Sequence, residues 1–499
     1  VTAAVLLIAG LFSLGAVVGA RTRYFPALND FWPLLFQSNT LAWGEWDTFR
    51  NGFFPPGYAV FLWLLGGDQI LKTAFLANVV FGCATVLVVY LACSRFTSEA
   101  TAWACAACAA LQPLVFASML TTGPDAGCMF FAVGAVLLLA HSLEGSEALR
   151  RRGSWMAGAL WGIATLWRYH YVAFAACALA AAAIVWRRRD VGRAVAAWSV
   201  SLAILAALSL LPGFSEQVAR AQAFNVYKTI VPVDWYHLPS DVPASVVGVI
   251  RRDPAAFAGA ALRFAAPHLW LLVPCTLGAV MMRASSRRFA VAVLLLQLSY
   301  LPVVSAGGSP RGILPLVPPA LLCGALVVEA ALAVVKTAAL RRAAASAVVL
   351  VVGTLVVARW APQDRAFIEA SIAGYEWRRA VERELRAQGV TTPTQVFGDA
   401  GFHFVTGSGS GWYAYVPRFN GGWPRLDLHG LDEMMPELSA ESLDALVADC
   451  ERLGVTHLVL SSSAGALMPD LGRLYEGRLA HPRLRLTASV AGMRIYRVQ

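Results

Sequence analysis

The sequence predicts a polytopic α-helical membrane protein of about eleven transmembrane helices, followed by a C-terminal soluble α/β domain. Three observations lead there. Apolar runs of spanning length recur up to residue 361, arginine and lysine collect in every second connection between them, and the hydrophobic period changes after Trp360. The 499 residues are 58% hydrophobic and 14% charged, against roughly a quarter charged in soluble domains. Single soluble cores stop growing at roughly 250–300 residues, so this much apolar surface requires a bilayer.

Windows of about 20 apolar residues, the length that crosses the hydrocarbon core, fall at 1–20, 70–93, 100–118, 124–144, 154–168, 171–186, 194–212, 267–283, 289–305, 312–335 and 344–361. The first reads as a retained anchor. Its alternative is a signal peptide ending at the cleavage-like Val18-Gly19-Ala20. The tight turn Arg168-Tyr169-His170 separates the fifth window from the sixth. Arg95, Arg150-Arg151-Arg152, Arg187-Arg188-Arg189 with Arg193, Arg283 with Arg287-Arg288, and Lys336 with Arg341-Arg342 all lie in even-to-odd connections, hence on one side. Basic short loops stay cytoplasmic, so the net charge of +10 is mainly a topology signal. A nucleic-acid partner is not expected, because its basic footprint would follow a surface rather than alternate loops. Loops at about 21–69 and 213–266, and the tail at 362–499, then face outward. The division is a transmembrane domain over 1–361 and an extracytoplasmic α/β domain over 362–499.

Of nine cysteines only Cys450 lies in the tail, which therefore has no internal disulfide. Cys105 and Cys108 form a CxxC on an apolar helix, where packing is the expected role. In the tail, 372–388 has helical spacing, 394–399 reads as a strand and 443–453 as a helix stopped by Gly454. A buried strand at 455–460 and a hairpin of 484–488 with 493–498 around Ala491-Gly492 complete an α/β pattern. Gly407-Ser408-Gly409-Ser410-Gly411 lacks the Gly-Lys-Ser/Thr ending of a phosphate loop and reads as a flexible loop. The adjoining Trp412 and Tyr413 can stack on sugar rings or pack as a lid.

The candidate chemistry gathers on the outward face. Asp30 stands before an amphipathic stretch at 31–41. It reads either as a helix N-cap or as a base for an acceptor hydroxyl. Asp125 opens the fourth span in Thr121-Thr122-Gly123-Pro124-Asp125 and carries the same two readings. Arg168 and Arg311 end apolar spans, where ionisable groups are costly and functional by default. Their forks suit a phosphate, the alternative being lipid-headgroup anchoring. His170 reads as a turn residue or a ligand. Asp234 and His237 in the long outer loop are too few for a metal site.

The order of these pieces resembles the GT-C superfamily of membrane glycosyltransferases. More narrowly it resembles bacterial relatives of the protein O-mannosyltransferases and the lipid A aminoarabinose transferase (glycosyltransferase family 39-like). The features that carry the resemblance are Asp30 past the first span, Pro55-Pro56-Gly57-Tyr58, Thr122-Gly123-Pro124-Asp125, Gly162-Ile163-Ala164-Thr165-Leu166-Trp167-Arg168, and Arg311-Gly312-Ile313-Leu314-Pro315-Leu316-Val317-Pro318. The resemblance implies a polyprenyl-phosphate-linked sugar as donor, membrane lipids as surroundings, an acceptor of unstated kind, and inversion at the anomeric carbon. It implies Asp30 and Asp125 as catalytic acids, and Arg168, Arg311, His170 and Tyr58 around the donor phosphate. Glu45, Asp47, Trp412 and Tyr413 would meet acceptor or sugar. No metal or cofactor is implied, and the location is the bacterial inner membrane. Two departures stand out: no Glu follows Asp30, and Phe54 precedes Pro55-Pro56 where the aminoarabinose transferase has Lys. The alternatives are a transporter or flippase of lipid-linked sugars, which predicts repeats and broken helices, and an O-antigen ligase or polymerase.

Overall fold

The computed structural model describes residues 2–22, 24, 31–42, 54–66, 70–186, 188–231, 243, 245–282, 284–335, 337–391, 395–398, 442–462 and 464–499. The eleven predicted spans fall on helical segments, those at 100–118, 267–283 and 312–335 on two consecutive elements each. Helices α1 (Thr2–Thr22), α4 (Ile70–Cys93), α7 (Asp125–Leu143), α10 (Arg188–Leu208), α15 (Ala284–Gly307), α16 (Val317–Ala333) and α17 (Ala338–Ala387) are long. Between the first two lie α2 (Phe31–Ala42) and α3 (Gly57–Leu65). Among the described residues, eight segments are long and apolar enough to cross a membrane, nine if a bent pair counts as one. The bent pair is α5 (Glu99–Leu111) and α6 (Pro113–Met119), turned by 66°. Pro113 has no N–H to continue the ladder, and the Gln112 side chain instead accepts from the Val115 amide at 3.0 Å, capping a new helix. The other two predicted spans are α8 (Glu147–Trp167), which begins in a charged turn, and the shorter α9 (His170–Val185). The chain breaks between them at Arg168, as the turn residues predict.

The long connection read at about 213–266 contains helices of its own. It holds α11 (Phe214–Ile230), α12 (Val246–Arg252) and α13 (Pro254–Ala265), with a small core of Ala223, Val226, Tyr227 and Val249. A 3-10 turn at Ala266–Leu271 leads from α13 into α14 (Leu272–Met281).

The basic connections collect at one end of the bundle. There Arg95 bonds His141, Glu144 accepts from the Trp186 indole at 3.0 Å, and buried Asp190 pairs with Arg193 at 2.9 Å and Arg150 at 3.8 Å. Asp125 begins α7 at the opposite end from His141, and Arg168 follows the last residue of α8.

Helix α17 runs for 50 residues through Trp360 and Pro362 without interruption. At about 1.5 Å per residue it is about 75 Å long, and it carries both the last span and the helix predicted at 372–388. Its far end packs Val381 and Leu385 on one face of a four-stranded sheet, against Val396, Val459 and Ile495. The strands are β1 (Val396–Gly398), β2 (His457–Leu460), β3 (Leu484–Val490) and β4 (Met493–Val498), in the order β1-β2-β4-β3. β1 and β2 are parallel and the other pairs antiparallel. The predicted hairpin closes at Ala491 and Gly492, both with positive φ, 51° and 78°, as the tightest hairpin turns require. On the opposite face the helices Leu443–Arg452 and Pro469–Glu476 bury Leu446, Val447, Cys450, Leu471 and Leu474 over Phe397, Leu458, Leu460 and Tyr496. All nine cysteines are free. Burial pushes the Cys450 thiol up to about 12, which suits packing and not nucleophilic chemistry.

Candidate active site

Asp125 is the first residue of α7 and is 4% exposed. Pro124 occupies the cap position, so the carboxylate is not spent as an N-cap. It pairs instead with two guanidinium groups far apart in sequence. Arg168 Nη2 lies 3.2 Å from Oδ1 and Arg311 Nε lies 3.5 Å from Oδ2. The Arg168 side chain is 13% exposed and that of Arg311 33%, so the second arginine is the one open to solvent. A carboxylate so buried is tolerable only when paired.

The surrounding sequence explains why these three meet. Trp167 is wedged between α3 and α7 at positions that have no side chain. A Cβ on Gly127 would collide with the Trp167 ring, and one on Gly57 would meet Leu166 O at 2.6 Å. The wedge ends α8, whose last turn closes with the Arg168 amide on Ala164 O at 3.0 Å. Arg168 is thereby fixed beside the first turn of α7. Arg311 lies in a 3-10 turn at Pro310–Leu316. Just before it, Gly308 has φ +57° and lies against Thr229 of α11 so closely that any Cβ would collide. Helix α11 thus braces the turn that carries Arg311.

Two further predicted residues join the cluster. His170 begins α9, and the charges of Arg168, Asp125 and Arg311 all bear on its ring. Its Nε2 is buried and has no hydrogen-bond partner among the described residues. Tyr58 is fully buried, with its ring edge-on to Trp167 at 5.1 Å between centroids and its hydroxyl within the influence of Asp125 and Arg168. Asp30, Glu45, Asp47, Trp412 and Tyr413, together with Asp234 and His237, lie outside the described residues. Helix α2 does begin at Phe31, directly after Asp30.

One residue that organises the site escaped the sequence reading. Asn78, 1% exposed within α4, donates to Thr121 O at 2.6 Å and to Gly123 O at 2.8 Å. It ties down the strand of backbone that delivers Asp125. An amide in the middle of an apolar span was the available signal, since polar groups there are expensive. Among the described residues no three His, Cys, Asp or Glu side chains are grouped to hold a metal ion.

The chain thus combines a helical membrane bundle, an acid–arginine centre at one end of it, and a small α/β unit carried on its last helix. Residues 55–211 match the family model of the dolichyl-phosphate-mannose-protein mannosyltransferases. The whole chain is similar in fold to ArnT from Cupriavidus metallidurans. The apo structure aligns with TM-score 0.53 at 15% identity over 99% of this chain and 98% of that one. The structure bound to undecaprenyl phosphate aligns with TM-score 0.54 at 15% identity over 99% and 97%. No curated protein matches the chain by sequence.

Proposed function

We propose that this protein transfers a monosaccharide from a polyprenyl-phosphate carrier to an extracytoplasmic acceptor, with inversion at the anomeric carbon. The observation that carries the proposal is one buried carboxylate holding two arginines from distant spans. That ArnT has been solved with undecaprenyl phosphate supports a lipid-phosphate donor. Residues 1–361 form the transmembrane catalytic part and 362–499 the outward α/β part, in the inner membrane of a bacterium.

The reaction sets the charge requirement. The acceptor oxygen attacks C1 of the sugar, the bond from C1 to the phosphate oxygen breaks, and the acceptor proton passes to a base. The donor phosphodiester carries one negative charge, and the departing monoester gains a second as it leaves. Two guanidinium groups against one carboxylate leave the centre with a net positive charge, placed where negative charge grows. Both oxygens of Asp125 are engaged by arginine, so its part is to align those cations. Asp30, in the outward first loop, takes the acceptor proton. Arg168 and Arg311 receive the phosphate, His170 offers Nε2 to one of its oxygens, and Tyr58 holds the floor beside Trp167. Glu45, Asp47, Trp412 and Tyr413 contribute to the sugar and acceptor sides. With Phe54 in place of a lysine, phosphate stabilisation falls chiefly on the arginines.

The test is release of polyprenyl phosphate by purified protein given a panel of polyprenyl-phosphate sugars. Arg168→Gln and Arg311→Gln should each cost at least tenfold in turnover with the fold intact. Full turnover by the double variant would end this reading.

A further inference from the structure

The soluble sheet carries a row of basic side chains that the proposed sugar-transfer centre does not use. Arg485 on β3 stands directly opposite Arg497 on β4, and Arg497 stands directly opposite His457 on β2. Residues paired in this way project from the same face of a sheet, so the three lie abreast. Like charges placed opposite each other destabilise a sheet. Here the repulsion is not relieved from within: neither Arg485 nor Arg497 has a carboxylate partner among the described residues, and both are exposed. Of the acids on adjoining elements, Glu451 pairs with Arg483 at 2.7 Å, Glu382 with Arg386 at 2.9 Å, and Glu384 accepts from Gln388 at 2.9 Å. His457 closes the row from the inside. It is 3% exposed, its Nδ1 lies 2.8 Å from the Thr456 hydroxyl, and its Nε2 is buried with no hydrogen-bond partner among the described residues. A buried nitrogen left unsatisfied is unusual enough to need a reason.

We propose that Arg485, Arg497 and His457 form an anion site for a phosphate group, carried by the glycan acceptor that the soluble domain presents to the membrane part. Opposed strand positions lie about 4.5–5.5 Å apart at Cα, close enough for two planar forks to grip one tetrahedral oxyanion. Such a ligand converts the unfavourable pairing of two arginines into two charge-assisted contacts. The site is well away from the bilayer, because the sheet packs on α17 from about Trp377 onward, 17 residues past Trp360, or about 25 Å along the helix. A lipid headgroup lying in the bilayer surface does not reach there, whereas a phosphate on an extended glycan does. Anion binding by the row stands independently of catalysis; its use as a handle on the acceptor rests on the sugar-transfer reading.

The test is calorimetric titration of the full-length protein in detergent with inorganic phosphate, beside the double variant R485Q/R497Q and the control R494Q, whose side chain belongs to the opposite face. The wild type should bind phosphate saturably, and the double variant should lose at least tenfold in affinity while R494Q does not. Binding that persists in the double variant reports the Arg168–Arg311 centre and is removed by R168Q/R311Q. In phosphate-free buffer the double variant should melt at the wild-type temperature or above, since it loses a repulsion, and phosphate should raise the wild-type melting temperature more than the variant's. No phosphate binding by R168Q/R311Q protein, or equal losses in R494Q and R485Q/R497Q, overturns the proposal. Neither result bears on sugar transfer, which is read separately by release of the lipid phosphate.

Discussion

Replacing Asp125 by Asn removes the charge and keeps the shape, and it isolates the part of the mechanism that rests on two arginines sharing one acid. A unit charge pair at 3.2 Å has a raw Coulomb attraction of about 5 kcal/mol at an effective dielectric near 20, and the pair at 3.5 Å slightly less. Desolvation cancels much of this, and the Arg311 contribution is discounted further because its side chain is 33% exposed. Removing one partner of a buried pair costs about 3–5 kcal/mol in known cases, a scale set here by the better buried Arg168–Asp125 contact. Without the carboxylate the two cations repel and drift from the position in which the phosphate leaves. A preorganised electrostatic contact of this kind is worth about 10²–10³ in kcat. Asp125→Asn should therefore lower kcat by about a hundredfold or more. KM for the lipid donor should not rise, because the freed arginines still attract its single negative charge. The assay is polyprenyl-phosphate release under saturating donor. A cycle with Arg168→Gln should be non-additive by about 1–3 kcal/mol, since each substitution breaks the same contact. A kcat within threefold of wild type, or strict additivity in the cycle, would refute the shared-acid account.

Three other outcomes follow from contacts described above. Gly127→Ala forces the Trp167 ring aside and should cost about 1–3 kcal/mol, seen as a lowered melting temperature together with reduced turnover, whereas Gly134→Ala, whose added methyl would first meet Leu160 at 3.8 Å, should be silent. Asn78→Leu leaves two backbone carbonyls without their donor at a cost of about 1–3 kcal/mol each; hydrogen exchange should rise in 120–126, and no change there would exclude the bracing role. Acid should destabilise the soluble domain through His457, whose imidazole is held below its usual range first by burial and then by Arg497. The unfolded chain takes up that proton below about pH 6.5 and the folded one does not. Stability is therefore full above that value and falls as pH drops, until the folded imidazole protonates. His457→Gln should flatten this part of a pH–melting profile.

Much of the architecture was legible because a bilayer imposes simple rules. Apolar length located the spans and arginine placement separated the two ends, so Arg168 could be read as a break rather than an impurity in a long helix. Asp125, Arg168 and Arg311 were recognisable as isolated charges at the ends of apolar runs. That both arginines converge on one carboxylate was not, because it depends on which helices are neighbours. The wedge of Trp167 into positions 57 and 127 is equally a fact of packing: each glycine taken alone is an ordinary residue of an apolar helix. The strands and hairpin of the tail were predicted from alternation and turn residues. The continuity of α17 was hidden, since the composition changes at Trp360 and Pro362 follows, both normal signs of an ending. Pro362 has no N–H to donate, but on an exposed position of α17 it breaks less than its reputation implies.

That unbroken α17 has a mechanical meaning. A loop between membrane and sheet would let the C-terminal domain tumble over the bilayer on its own; a helix that is at once the last span and a wall of the sheet's core gives it one height and one bearing. Lengthening the rod by a single alanine just past Trp360 would rotate the cap by about 100° and lift it by about 1.5 Å, with every contact inside the cap preserved. Such a variant should stay folded while whatever the cap grips swings away from the reacting end of the bundle, so the rod acts as a gauge of how strictly the two halves must face each other.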